Sequence, residues 1–298
     1  MSTARTIIIG DVHGCVVELG ELLDVVEPTA HDRIVFVGDL VDKGPDVIGV
    51  IRLARSLREQ GIEVVLVQGN HEEKLARFRA AYNKKGEKGI RRFKGKAELL
   101  ATTQALDDED VKFLDSAVVC HKLPEHEAVV VHGGITSSVE VLDPEIRAIH
   151  GYLLRTRYVT GGVDTKVQVM FEGLDFDPAF GDGDGLTPDQ VRELFEAMTI
   201  TVQRKMVRPV GSYIVLGEET EDDPFWATVY DGRFGHVFFG HQPWIGAPEP
   251  QLFLHATGVD LGCVFGGRLA AAILEVGQPA RFVSVEARAK YATSLWED

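Results

Sequence analysis

Three times in its first 85 residues the chain repeats one unit: a short apolar run, a polar block opened by glycine, and an amphipathic stretch. Residues 6–9 run into Gly10-Asp11, residues 33–37 into Gly38-Asp39, and residues 64–67 into Gly69-Asn70. Apolar residues then recur at helical spacing over 16–26, over about 47–60 before Gly61, and from about 72 to 82. Strand, loop and helix in that succession predict a layered α/β architecture with parallel strands. In such sheets ligands gather beyond the carboxyl ends of the strands, where all three polar blocks fall.

Two later runs end in the same way, residues 128–131 at His132 and 237–239 at Gly240-His241. Residues 107–116 predict a helix whose acidic start suits the positive end of its dipole. Residues 252–255, 259–261, 269–275 and 281–285 read as consecutive strands. No repeat or linker interrupts the pattern, so residues 1–298 are expected to form one domain with an insertion at about 160–235. Inside it, an acidic stretch covers 164–190. Residues 180–191 fail as a calcium loop, because Phe180 and Val191 stand where the first and last ligands are needed. Thr187-Pro188-Asp189-Gln190 instead predicts a helix start, with Thr187 as cap and Gln190 as capping-box partner.

Composition narrows the function classes. A net charge of −15 opposes general affinity for nucleic acid. Against that trend, residues 84–96 carry Lys84, Lys85, Lys88, Arg91, Arg92, Lys94 and Lys96 against the single acid Glu87. Directly after a polar block, this run reads either as a solvated loop or as a surface for a polyanionic substrate. No apolar run approaches the ~20 residues needed to cross a bilayer. The first strand begins too early to leave room for a signal peptide. Cys15, Cys120 and Cys263 are few and far apart, so no disulfide framework is expected and the cytoplasm is the expected compartment.

The five polar blocks together offer Asp11, His13, Asp39, Asn70, His132 and His241, a set without thiolates. Asp11 and His13, two apart on one turn, can face a single ion, and Asp39 can bridge two ions through its two oxygens. Asn70, His132 and His241 complete the ligand set of the second ion. Imidazole, carboxylate and amide together suit manganese, iron or zinc better than calcium. Two such ions ~3.5–4 Å apart clamp a phosphoryl group and activate a water as hydroxide. Any one of these residues alone would read as a turn Asp or a hydrogen-bonded core His. Five blocks in order, each at a strand end, do not. His71 adjoins a ligand yet points elsewhere, which frees it to protonate a leaving oxygen, and Asp42 could orient it. Lys43 could hold a substrate phosphate as a point charge.

The ordered set Gly-Asp-Val-His-Gly, Gly-Asp-Leu-Val-Asp-Lys-Gly, Gly-Asn-His-Glu, His-Gly-Gly and Gly-His, spanning residues 10 to 241, resembles the calcineurin-like metallophosphoesterases. Within them it resembles the phosphoprotein-phosphatase branch. That resemblance implies a β-sandwich of mixed sheets flanked by helices, with the metals at its edge. It implies Asp11, His13 and Asp39 on one metal, Asp39, Asn70, His132 and His241 on the other, and His71 as general acid supported by Asp42. The metals would most naturally be manganese, with iron, zinc, cobalt or nickel as alternatives.

The basic run, residues 154–158 and residues 258–268 resemble bacterial symmetrical diadenosine tetraphosphatases. The last stretch is also similar to the phosphatase domain of bacterial polynucleotide kinase-phosphatases. Lys43 departs from the arginine usual at its position, and Gly133 from the alanine common in the tetraphosphatases. The expected activity is hydrolysis of nucleoside polyphosphates, with Lys43, Arg155, Arg157 and Arg268 as phosphate clamps. The alternatives are a Ser/Thr protein phosphatase or broad phosphomonoesterase acting through the same site, and a non-catalytic metal- or RNA-end-binding module. The His71–Asp42 pair speaks against the last, since a binder has no use for a general acid.

Overall fold

A computed structural model describes residues 4–161, 211–215 and 217–293. The helix start expected at Thr187, the rejected calcium loop and the acidic stretch 164–190 lie outside the described residues. The three opening units form β1 (Thr6–Ile9), α1 (Val16–Val26), β2 (Arg33–Phe36), α2 (Val47–Glu59), β3 (Glu63–Leu66) and α3 (Asn70–Lys85). Next come α4 (Glu87–Ile90), α5 (Lys96–Ala105), α6 (Asp108–Asp115), β4 (Cys120–Leu123), β5 (Ala128–Val131) and α7 (Arg147–Arg155). The described remainder is α8 (Trp226–Val229), β6 (His236–Phe239), β7 (Gln251–Leu252), β8 (Ala256–Gly258), β9 (Asp260–Leu261), β10 (Arg268–Leu274) and β11 (Arg281–Glu286).

These strands make two mixed sheets. The first runs β11-β10-β1-β2-β3, with β9 also paired to β10, and the second runs β4-β5-β6-β8-β7. β1, β2 and β3 are parallel as expected, but β10 adds antiparallel to β1, so the sheet is mixed rather than wholly parallel. In the second sheet β5, β6 and β8 are parallel, with antiparallel strands at both edges.

Period-two alternation sets how the layers stack. Ile7 and Ile9 face the helices α1–α3 together with Ile34 and Phe36. Ile8 and Val35 point the other way, where they meet Val130 and Phe238 from the second sheet. Val129, Val131 and Phe239 turn to that sheet's outer face and pack with Trp226 and Leu153. The result is a sandwich with helices outside, and each fully buried Ile or Phe in it contributes about 1.5–3 kcal/mol.

Several details differ from expectation. The basic stretch 84–96 is not a loop throughout: Lys84 and Lys85 close α3, where cations suit the helix dipole, and α4 follows. The expected strand at 252–255 is interrupted by a tight turn in which Phe253 N donates to Ala256 O at 2.8 Å. The expected strand at 259–261 is instead a crossing point. β8 belongs to the second sheet and β9 to the first, so the chain steps between sheets at Val259. The helix expected at 107–116 is α6, opened by Asp107, whose carboxylate accepts from Asp110 N at 2.8 Å. No helix among the described residues is long and apolar enough to cross a membrane.

Candidate active site

The six parallel strands among the described residues deliver their polar blocks to one end of the sandwich. β1 leads to Asp11 and His13, β2 to Asp39, β3 to Asn70 and His71, β5 to His132, β6 to His241 and β8 to Asp260. All eight side chains are buried. Among the described residues seven non-glycine residues adopt positive φ, and five of them are His13, Asp39, Asp42, Lys43 and His241. Each such conformation costs roughly 1 kcal/mol or more and persists only where the surroundings dictate it. Close approach also excludes a side chain at two glycines: a Cβ on Gly44 would strike the His13 carbonyl, and one on Gly240 would strike Asp11 Oδ1.

Glu72, buried on the first turn of α3, fixes the Asp39 turn. Its Oε2 accepts from Asp39 N and Gly69 N, both at 2.8 Å, and its Oε1 from Leu40 N at 2.8 Å and Val41 N at 3.3 Å. So braced, Asp39 becomes the hub. Its Oδ1 accepts the His71 amide at 3.0 Å. Toward its Oδ2 come His132 Nε2 at 3.3 Å, His13 Nε2 at 3.4 Å and His71 Nε2 at 3.9 Å.

The ring tautomers follow from their partners. His13 Nδ1 lies 2.9 Å from the Val41 carbonyl and His132 Nδ1 3.0 Å from the Val37 carbonyl. A carbonyl only accepts, so each Nδ1 carries the hydrogen and each Nε2 presents a lone pair. Those lone pairs face acceptors: Asp39 Oδ2 in both cases, and Asn70 Oδ1 at 3.0 Å from His132 Nε2. Acceptors converging on acceptors is an arrangement that cations resolve.

The electrostatics agree. Burial, with Lys43 reinforcing it, pushes His13 down to about 3, and burial with Arg157 pushes His241 well below the usual imidazole range. Both rings therefore stay neutral near pH 7 with lone pairs to give. Although burial opposes it, positive charge at the positions of His132 and His71 would hold Asp39 well below the ordinary carboxylate range. Burial first, then Asp260 and Asp39, push Asp11 well above that range. Burial, opposed by the Gly262 amide and reinforced by Asp39, pushes Asp260 up to about 6. Three buried carboxylates crowded in this way call for positive partners. Asp11 Oδ1, moreover, has no hydrogen-bond partner among the described residues.

Two donor sets, each spanning no more than 4.8 Å, satisfy that demand: His13, Asp39 and His71, and Asp39, His132 and His241. Asp39 belongs to both, as a bridging ligand must. Asp11 lines the same cavity but is in neither set; its Oδ2 accepts the His241 amide at 3.0 Å. Asn70 reaches the second set through His132. The donor chemistry fits two divalent ions of the manganese, iron or zinc type.

His71 Nδ1 donates to Asp42 Oδ2 at 2.8 Å, and Lys74 Nζ donates to the same oxygen at 3.1 Å. Although burial opposes it, His71 and then Lys74 hold Asp42 well below the usual carboxylate range. Lys43 and Arg157 line the metal cavity, and Arg157 also donates to the His241 carbonyl at 2.9 Å. The other two expected clamps lie elsewhere. Arg155 is paired with Glu73 at 2.6 Å, and Arg268 spends its guanidinium on Ser284 and Glu286 of β11, both at 2.8 Å. Neither is among the residues lining the cavity. Sequence reasoning passed over Glu72 and Asp260, although Glu72 has capping-box spacing from Gly69 and Asp260 follows a strand end like the other acids.

The sequence pattern of the calcineurin-like phosphoesterases matches residues 4–267. The chain belongs to that family. It is accordingly an enzyme, a phosphoesterase, of a kind that works with divalent metal ions. It is 30% identical over 285 residues to a symmetrical bis(5'-nucleosyl)-tetraphosphatase of Erwinia tasmaniensis, covering 89% of this chain and 92% of that one. It is 25% identical over 302 residues to the asymmetrical bis(5'-nucleosyl)-tetraphosphatase PrpE of Oceanobacillus iheyensis, covering 98% and 96%. Among solved structures it is similar to a candidate diadenosine tetraphosphatase, with a TM-score of 0.60 at 25% identity, covering 96% of this chain and 94% of that one.

Proposed function

We propose that the chain hydrolyses a phosphoanhydride bond of a nucleoside polyphosphate, a dinucleoside tetraphosphate being the model substrate. The observation that carries this reading is the hub at Asp39, whose Oδ2 is approached from both sides by the Nε2 lone pairs of His13 and His132. Asp11, His13, Asp39, Asn70, His132 and His241 would hold two divalent ions, with manganese as our choice. The ions when bound supply Lewis-acid polarisation of the phosphoryl oxygens and acidify a water.

The chain's own residues do the rest. Lys43 and Arg157 set positive charge on the cavity wall and orient the phosphate. A water oxygen bonds to phosphorus as the bond to the bridging oxygen breaks, and the water's released proton passes to bulk solvent. His71 Nε2 delivers its proton to that departing oxygen, while Asp42 holds the ring by Nδ1 and balances its charge. The tetraphosphatase relatives, both symmetrical and asymmetrical, support the nucleotide class of substrate. We place the enzyme in the cytoplasm, in keeping with three unpaired, buried cysteines.

The test is product analysis with manganese-loaded protein. Diadenosine tetraphosphate should yield ADP alone if the cut is symmetrical, or AMP and ATP if it is not. An intact dinucleotide beside rapid dephosphorylation of phosphoserine peptides would replace this reading with that of a protein phosphatase.

A further inference from the structure

Lys43 and His71 each line two spaces. One is the metal cavity, and the other is a larger cavity of about 890 Å³ that Asp42 also lines. Ligand sites for small molecules run from roughly 300 to 1,000 Å³, so it has room for a nucleotide. Its lining carries Lys43, Lys74 and Lys94, the last being the one cation of the basic run 84–96 that reaches it. Asp42, on the same wall, is spent on His71 and Lys74. The same wall has an apolar part, made of Ile48, Ala101 and Ala105 of α5 and Tyr291. Glu98 adds a carboxylate acceptor there.

Phosphate-binding cations, small apolar side chains and an acceptor in one lining are the chemistry of a nucleoside phosphate. Position supplies the rest. A general acid must touch the departing oxygen, and His71 with Lys43 joins the smaller cavity to this one, so the departing half of the substrate can pass from one into the other beside the acid. We propose that this cavity holds the leaving nucleotide, its phosphates against Lys43, Lys74 and Lys94 and its base over Ile48, Ala101 and Ala105. The inference rests on the reading of His71 as acid and of a nucleotide substrate. It assigns substrate selection to the leaving half rather than to the phosphoryl group held at the metals.

Ala101→Trp and Ala105→Trp fill the apolar part of the cavity from two turns of α5. Gln104→Trp, on the same helix but outside the cavity lining, is the control. The readout is the ratio of kcat/KM for diadenosine tetraphosphate to that for p-nitrophenyl phosphate, whose leaving group has neither base nor ribose. Both fillers should lower the ratio about tenfold or more, and Gln104→Trp should leave it unchanged. AMP should inhibit aryl phosphate hydrolysis in the wild type and the control, and about tenfold more weakly in the fillers. Should an indole disrupt α5, Ala101→Leu and Ala105→Leu give the same reading at smaller amplitude.

An unchanged ratio in both fillers of an enzyme that cleaves the dinucleotide would overturn the cavity assignment and leave the proposed function standing. An equal loss on both substrates with unaltered AMP inhibition would overturn it too. A wild type that hydrolyses the aryl phosphate but not the dinucleotide would remove the underlying reading instead.

Discussion

Glu72→Gln tests whether the bridging aspartate is set by its backbone brace. The carboxylate of Glu72 accepts four amide hydrogens, two on each oxygen, at 2.8 to 3.3 Å. Glutamine keeps the shape but replaces one oxygen with a donor, which then faces two N–H groups that have nowhere else to turn. A hydrogen bond to a charged acceptor contributes about 1.5–3 kcal/mol, so two lost bonds cost about 3–6 kcal/mol. Relaxation through the remaining oxygen favours the lower end, about 3 kcal/mol, which is still a large share of the ~5–15 kcal/mol typical of a folded protein.

The assay is urea unfolding of the metal-free protein, followed by tryptophan fluorescence, with elemental analysis of metal content alongside. The midpoint should fall with the slope unchanged, and the folded variant should retain less metal, because Asp39 has lost the support of its positive φ. Glu73→Gln, which disturbs only the partly exposed pairs to Arg77 and Arg155, should stay within about 1 kcal/mol. A Glu72→Gln protein as stable as that control, with full metal content, would refute the reasoning.

His71→Asn should lose about 10²-fold or more in turnover while the ion of the Asp39, His132 and His241 set stays, since it removes the proton donor and His71 belongs only to the other set; full turnover in that variant would strike His71 from the mechanism. Asp39→Asn should release both ions together, because both donor sets share that carboxylate, and retention of one ion at full occupancy would contradict the bridge. Asp32 gives a pH prediction away from the site. Although burial opposes it, Arg5 and Thr29 hold its carboxyl down to about 2, below the ~3.9 of an unfolded chain. Its contribution of about 2–3 kcal/mol is thus present above about pH 4 and lost as pH falls toward 2. Asp32→Asn should flatten that part of the acid-unfolding curve, and an unchanged curve would count against it.

The legible parts of the fold are those whose signals are local. β1–β3 and α1–α3 announce themselves by apolar periodicity and by the glycines that close each strand. α5 did not, because only Leu99 among its ten residues is fully buried, which leaves no stripe to read. β4 is Cys-His-Lys-Leu with a half-exposed middle, a pattern shared by many loops. The step between sheets at Val259 is invisible to any reading of one segment at a time, since an unbroken extended stretch contributes to two ladders.

At the site, the candidate ligands stand out because strand-end position and residue chemistry coincide. Partner choice was not. Arg268 looks like a phosphate clamp until Ser284 and Glu286, 16 and 18 residues later, arrive beside it on β11. The run at 84–96 shows the same limit, since charge marks a solvated surface but not whether that surface is loop, helix end or cavity wall.

The concentration of left-handed backbone at His13, Asp39, Asp42, Lys43 and His241 explains why the brace must be as strong as it is. Relaxing any of these turns would relieve strain and let a carboxylate or imidazole swing toward water. Nothing in the ligands themselves opposes that, because without cations Asp11, Asp39 and Asp260 repel one another in a buried setting. Opposition comes from groups that do not touch the substrate: Glu72 on four amides, the Val37 and Val41 carbonyls on two rings, and the His241 amide on Asp11. The sheets supply those carbonyls and amides at fixed spacing. The geometry of these candidate ligands is therefore inherited from the strand register, and the cost of holding it is met by backbone hydrogen bonds.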